Sequence, residues 1–370
     1  VKVAFFGAYD PAYPRNVVLQ EGLEALGVEV AQIAVAPGTP MFVREAALVA
    51  RWAAAAASLD ALLVPAFGHR DVPLAAALGR VSGLPVVFDP LVSRWDTQVG
   101  DLGRAGARSL AAWRLRASDR IALSLADLVL CDTWEHGDFY SAEYGVPRSK
   151  LCRVPVGADR QAFRYGEAAR PPRLAGPLQV VYIGGFLPLH GVETAVEAAT
   201  ILEGRHGPRF ASFALIGDGM TAPRAERDIA ARGLRSVRRL PRVPYRDALA
   251  ALSRADVALG IFGTTPKAGR VVPHKVFQSM AAGIPTITRR SRAIAEFFRE
   301  GEHLILVPAG DAAALAKAVE ELAGDPDRGA RIGMAGRASA QEQASPERIG
   351  ALLAEAIARV RETTAPKVRR

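Results

Sequence analysis

Three cations crowd one short stretch: Lys267, Arg270 and Lys275 fall within nine positions, around Pro266 and Pro273. They follow an apolar run, Val257 to Phe262, that stops at Gly263-Thr264-Thr265-Pro266, and they lead into a helical pattern, Lys275 to Ala282, closed by Gly283. Apolar strands that end at Gly and Pro and open onto polar loops build the binding sites of α/β sheets. Cations at the mouth of a helix N-terminus suit a diphosphate, because the helix end adds partial positive charge and free N–H donors. One basic loop residue reads better as a solvated charge; three beside a strand end and a helix start read as an anion site. The chemistry would be stabilisation of negative charge on a leaving diphosphate, with Lys267 and Arg270 as candidate catalytic cations.

Two glycine turns end further apolar runs in the same half of the chain. In Ile183-Gly184-Gly185-Phe186-Leu187-Pro188-Leu189-His190-Gly191, glycines let backbone N–H groups approach a phosphate, and a helix starts next. For Gly184 and Gly185 the alternative is a tight turn without a ligand. His190 reads equally as a phosphate or sugar partner and as a helix cap. Gly217 lies in Ile216-Gly217-Asp218-Gly219 at another strand end, and Arg242 follows Leu240-Pro241. Gln278 can hydrogen-bond a diol but, as a neutral amide, cannot act as a carboxylate. Glu296, eight positions after Thr288, reads as a binding carboxylate or else as a surface helix charge.

The segment Ser279-Met280-Ala281-Ala282-Gly283-Ile284-Pro285-Thr286 resembles the A-M-A-x-G-x-P-V tail of the donor segment in retaining, two-domain (GT-B) glycosyltransferases of family 4, the glycosyl transferases group 1. Thr265 to Phe277 is similar to a subgroup pattern, T-P-K-A-x-R-V-I-P-N-K-V-F, almost residue for residue. Arg270 and Gln278 stand where the family carries two glutamates separated by seven residues. The second of these contacts the donor ribose, so the resemblance implies that role for Gln278. It also implies donor-diphosphate contacts in the Gly184 turn, where Phe186 and His190 replace an Arg and a Lys. Base and phosphate contacts near Gly217, and nucleobase packing near Arg242, follow from the same resemblance. It covers nearly the whole chain and is strongest from Val180 to Val307.

In the first half the family bears a catalytic or acceptor-binding histidine after the fourth strand, and Asp89 is the nearest position here. The loop Asp89 to Thr97 carries that carboxylate with Arg94 and Trp95; a simple turn at Asp89-Pro90 is the alternative. Tyr9, Arg15 and Asn16 belong to a loop stiffened by Pro11 and Pro14 and are candidates for acceptor or donor phosphate. Gly103 to Asp119 reads as a basic helix, with Arg104, Arg108, Arg114 and Arg116 beside Leu110, Trp113 and Leu115. Such a helix either lies on an anionic bilayer or is a solvated face.

A scaffold that ends many strands on one edge must hold these residues. Strand-like runs alternate with helical patterns from Val1 to Asp159 and again from Gln179 to Val307, which argues parallel, doubly wound sheets. The last strand of the first half is expected over Leu151 to Asp159, and the strand before the cation loop over Ala255 to Phe262. With the resemblance, the expected fold is α/β, GT-B: two Rossmann-like domains facing a cleft. Residues 1–165 form the acceptor-side domain, 166–177 a linker and 178–345 the nucleotide-sugar-binding domain. A final helix, 346–362, returns to the first domain, and Thr363 to Arg370 is a basic, frayed tail.

Half of the 370 residues are apolar and 23% are charged, a globular profile and not a disordered one. No apolar run is long enough to span a bilayer, and the start does not read as a signal peptide. Cys131 and Cys152 sit in apolar runs and read as buried hydrophobes of a reducing cytosol. The net charge of +9 comes without an aromatic-interleaved basic stripe, which argues against nucleic acid and for an anionic substrate or membrane surface. Asp325-Pro326-Asp327 reads as a helix cap, so no metal is expected. The expected activity is retaining transfer of a sugar from a nucleotide-diphosphate donor to a hydroxyl acceptor, a glycan, lipid-linked or secondary-metabolite intermediate, without a cofactor. The expected place is the cytoplasm, with the inner face of the cell membrane as a peripheral location. A sugar-nucleotide 2-epimerase of the same fold and a non-catalytic nucleotide-sugar-binding protein are the alternatives.

Overall fold

Short apolar runs joined by helices leave parallel pairing as the way to build a sheet, and the chain builds two. A computed structural model describes residues 1–167 and 176–364. It divides into one unit of Val1–Val156 with the segment from Ser345 onward, and a second unit of Gly157–Ala344.

Unit 1 holds β1 (Lys2–Ala8), β2 (Glu29–Val35), β3 (Ala61–Val64), β4 (Val86–Phe88), β5 (Leu128–Cys131) and β6 (Leu151–Arg153), in the order β2-β1-β3-β4-β5-β6. β3, β4 and β5 are buried on both faces, as their unbroken apolar sequences require in a parallel sheet. The helix Pro346–Thr364 packs on Pro14–Ala25 through Leu353, Ile357, Leu19 and Leu23. Gly22 and Gly350 face each other there, and a Cβ on either would overlap the other's backbone. Alanine at these points would push the helices apart.

Unit 2 holds β7 (Leu178–Ile183), β8 (Ala211–Ile216), β9 (Val237–Leu240), β10 (Val257–Leu259), β11 (Thr286–Arg289) and β12 (Ile305–Val307), in the order β12-β11-β10-β7-β8-β9. Strand order reverses between β7 and β10. In open α/β sheets ligands bind beyond the strand ends at such a reversal.

Several expected bounds move. The strand expected over Leu151 to Asp159 ends at Arg153, because the carbonyls of Val154 and Pro155 bond the Arg15 guanidinium. The strand expected to reach Phe262 ends at Leu259; the Thr288 hydroxyl takes the Ile261 N–H at 3.1 Å. The cation loop contains a helical turn, Pro266–Arg270, started by Pro266 and by the Thr265 hydroxyl, which accepts from Ala268 N at 3.4 Å. The basic helix starts at Leu110, with Ser109 capping Ala112 N at 3.1 Å, and runs to Leu125.

The expected boundary at residue 165 shifts to 156/157. The helix Arg160–Tyr165 belongs to unit 2, where Arg337 donates to the Phe163 carbonyl at 2.8 Å and Ala158 N donates to Ala344 O at 3.2 Å. Residues 168–175 of the expected linker and 365–370 of the tail lie outside the described residues.

Candidate functional site

β7 and β10 pair Val180 with Val257 and Tyr182 with Leu259, so the turns that leave them lie side by side. His190 O accepts from Phe262 N at 2.9 Å and ties the two turns together. Gly184, at φ 145°, abuts the β8 turn so closely that a Cβ on Gly217 would overlap the Gly184 carbonyl. Neither position admits a side chain.

The space beneath Gly184 belongs to Lys275. From the helix His274–Ala281 its Nζ stands 2.5 Å from where a Gly184 Cβ would be, and 3.8 Å from the centre of the Tyr182 ring. Lys275 is buried, and its Nζ has no hydrogen-bond partner among the described residues. Burial pushes its pKa well below the usual lysine value. His190 Nδ1 bonds the Gly185 carbonyl, which also accepts from the Tyr182 hydroxyl. A carbonyl only accepts, so this bond assigns the ring proton to Nδ1 and leaves Nε2 as an acceptor. Burial, then Lys275 and Lys267 nearby, hold the His190 pKa well below the usual range. Gly184, Gly185, His190, Gly217, Lys275 and the buried Lys267 therefore converge on one strand-end turn.

The other expected donor residues are dispersed. Arg270 ends the short helix beside them and is partly buried. Gln278 donates to the Tyr245 hydroxyl at 3.0 Å, which engages one of its two amide hydrogens. Arg242 is exposed in the loop after β9. Glu296 follows the helical turn Arg292–Ala295 and lines a separate groove of about 610 Å³ with His303, Ser339 and Glu342.

Unit 1 corrects the acceptor-side expectations. Arg15 and Asp89 are buried and form an ion pair at 2.6 Å, and Arg15 also donates to Val154 O at 3.1 Å and to Pro155 O. With its guanidinium so engaged, the pair is a structural clamp and not a catalytic carboxylate with an acceptor ligand. Tyr9 is buried in the core beside Phe5, its hydroxyl on Gln32. Asn16 is buried, donating to Asp10 O at 2.8 Å and accepting from Ala66 N at 3.4 Å. Of the four acceptor candidates, Arg94 lines a groove. Behind it, His69 Nε2 lies 3.6 Å from Asp119 Oδ1, with the ring edge-on to Phe88. Asp119 Oδ2 accepts from Ser93 Oγ (2.7 Å), Trp95 N (2.9 Å) and Tyr144 OH (3.0 Å), which fixes the loop on both sides of Arg94.

Residues 177–325, which carry the Gly184 turn and the cation cluster, match the family model for glycosyl transferases group 1. That stretch of the chain is similar to the group 1 glycosyltransferases. It is 27% identical over 274 residues to the D-inositol 3-phosphate glycosyltransferase of Acidothermus cellulolyticus, covering 69% of this chain and 58% of that protein. It is 26% identical over 264 residues to the alpha-D-kanosaminyltransferase of Streptomyces kanamyceticus, covering 68% and 64%. The chain thus spans less than two thirds of the length of either relative. Anabaena Alr3699/HepE in complex with UDP and glucose has a similar fold, with a TM-score of 0.69 at 15% identity over 96% of this chain and 99% of that one.

Sequence reasoning missed Tyr182, His69 and Arg289, which donates to the Gly263 carbonyl at 2.6 Å. His69 had a signal: it follows Gly68 at the end of an apolar strand, but after β3 and not after β4. Burial lowers its pKa from 6.5 to about 4, with Asp119 opposing and Arg94 reinforcing the shift. The folded form keeps this ring neutral while the unfolded chain protonates. Its contribution is therefore present above pH 6.5 and is lost as pH falls from there toward about 4. Between pH 7 and 5 that loss is about 2 kcal/mol. Urea unfolding of His69→Asn at both pH values should lack that share of the decline; an unchanged pH dependence would overturn the assignment.

Proposed function

We propose that the chain transfers a sugar, with retention and without an essential metal, from a nucleotide-diphosphate donor to a hydroxyl acceptor. The observation that supports this best is the buried Lys275 amino group, without a hydrogen-bond partner among the described residues and aimed at the Gly184-Gly185 turn, at the strand-order reversal of unit 2. A diphosphate on that turn would meet backbone N–H groups, Lys275, Lys267 and Arg270. Fixed cations there stabilise charge that grows on the leaving diphosphate without reorganising. His190, protonated at Nδ1, offers Nε2 to a sugar hydroxyl. Gly217 and the exposed Arg242 serve the nucleotide end, and Glu296 is a candidate ribose partner.

The acceptor belongs to unit 1, at Arg94. A lipid-linked acceptor and a cytoplasmic place on an anionic membrane fit the helix Leu110–Leu125, where Leu110 and Trp113 are 60% and 67% exposed beside Arg114. Among the described residues no helix is long and apolar enough to cross a membrane.

The test is a thermal-shift panel of nucleoside diphosphates and nucleotide sugars without divalent metal, beginning with UDP because the HepE structures hold it. One nucleotide family at a hundred times its Kd should stabilise the fold by about 2.7 kcal/mol. No shift from any member would overturn the diphosphate site. Donor conversion without acceptor would favour the epimerase, and binding without turnover a non-catalytic protein.

A further inference from the structure

We propose that unit 1 carries a second oxyanion site, a groove lined by Arg70, Arg94, Arg104 and Arg114, that holds a phosphate group on the acceptor. The groove encloses about 780 Å³, and no Asp or Glu lines it. Arg70 leaves β3, Arg94 leaves β4, and Arg104 and Arg114 flank the start of the helix Leu110–Leu125, so three separate chain segments deliver one charge type to one place.

Among the described residues none of Arg70, Arg104 and Arg114 has a carboxylate within ion-pair distance, although unit 1 pairs Arg15, Arg44, Arg116 and Arg148 with acids. Arg94 is partly buried, held by Ser118 Oγ at 3.0 Å and by the Ser93–Asp119–Trp95 network on its loop. Burial and then the neighbouring Arg70 lower its pKa, and Asp119 offsets only part of that shift.

Guanidinium forks match phosphate oxygens, and several unneutralised ones favour a group of charge near −2 over a carboxylate. Phe67 and Leu115 supply an apolar wall for the rest of the molecule. Phe67 and Leu91, on the loops that carry Arg70 and Arg94, hold left-handed backbone at φ 68° and 57°. Strain of that kind in non-glycine residues collects at binding loops.

The transferase reading is needed only to name the bound molecule an acceptor; the site itself is tested without donor or turnover. The probe is glycerol 3-phosphate, titrated calorimetrically at low salt into the full chain. The background variant K275M keeps the unit 2 turn from taking up the probe. Adding R94Q/R104Q should weaken the titration about ten-fold or more, and raised salt should weaken the parent titration as well. R104Q/R114Q changes two exposed side chains and gives a folded second variant with the same expected direction.

Binding of phosphatidylglycerol vesicles, lost in the same variants while the soluble probe fails, would support the site and assign its phosphate to a membrane lipid. Titrations of probe and vesicles that ignore both variants would overturn the site and leave the donor panel's result standing.

Discussion

Replacing Lys275 with methionine should make the fold more stable and the nucleotide site almost empty. The two effects share one cause. The Lys275 Nζ is buried without a hydrogen-bond partner, so the folded chain holds an ammonium that water would solvate better. Its contact with the Tyr182 ring at 3.8 Å offsets part of that cost. Methionine fills similar volume without the charge, and a gain of about 1–2 kcal/mol at neutral pH is expected.

The sign follows from linkage. The folded-state pKa is depressed, so the unfolded chain binds more protons, and wild-type stability rises with pH toward the ordinary lysine value. The advantage of K275M should therefore shrink as pH approaches about 10. Affinity for the nucleoside diphosphate found in the panel should fall about 100-fold, the scale of a desolvated charge pair losing one partner. A variant with unchanged nucleotide affinity would remove Lys275 from the site.

Opposite signs on stability and binding are what distinguish a site residue from a core residue, and sequence alone does not supply that distinction. The cation cluster was legible because Lys267, Arg270 and Lys275 sit close together after a broken apolar strand. Periodicity also located both sheets, since parallel strands buried on two faces read as apolar runs. The depth of each side chain was not legible. Arg15 reads as a loop cation next to prolines, yet it is fully buried, because its partners Asp89, Val154 and Pro155 come from segments more than seventy positions away. The partner of Gln278 was hidden for the same reason, since Tyr245 lies 33 positions off in sequence. The four-arginine groove was only half visible: Arg104 and Arg114 were seen on one stretch, but nothing local links them to Arg70 and Arg94.

The Arg15–Asp89 clamp gives the largest expected loss of stability. Arg15→Met would strand a buried carboxylate 2% exposed and leave two backbone carbonyls without their donor. Removing one partner of such a pair costs about 3–5 kcal/mol, because the remaining charge stays desolvated. For a unit of this size each kcal/mol moves the midpoint by about 2–4 °C, so a fall of about 10 °C is expected by calorimetry. Arg15→Lys should recover only part of it, since an ammonium cannot span Asp89 and both carbonyls as the planar fork does. Removing both charges, in R15M/D89L, should be less harmful than R15M alone, because no buried ion is left uncompensated. Nucleotide affinity, which rests on unit 2, should survive in every variant below its melting point. The opposite pattern would restore Asp89 as a reacting group: R15M within about 1 kcal/mol of wild type, and D89N folded but dead in transfer. That pattern requires Asp89 to reach a substrate, whereas a 2.6 Å bond to a fully buried guanidinium holds it inside the sheet edge.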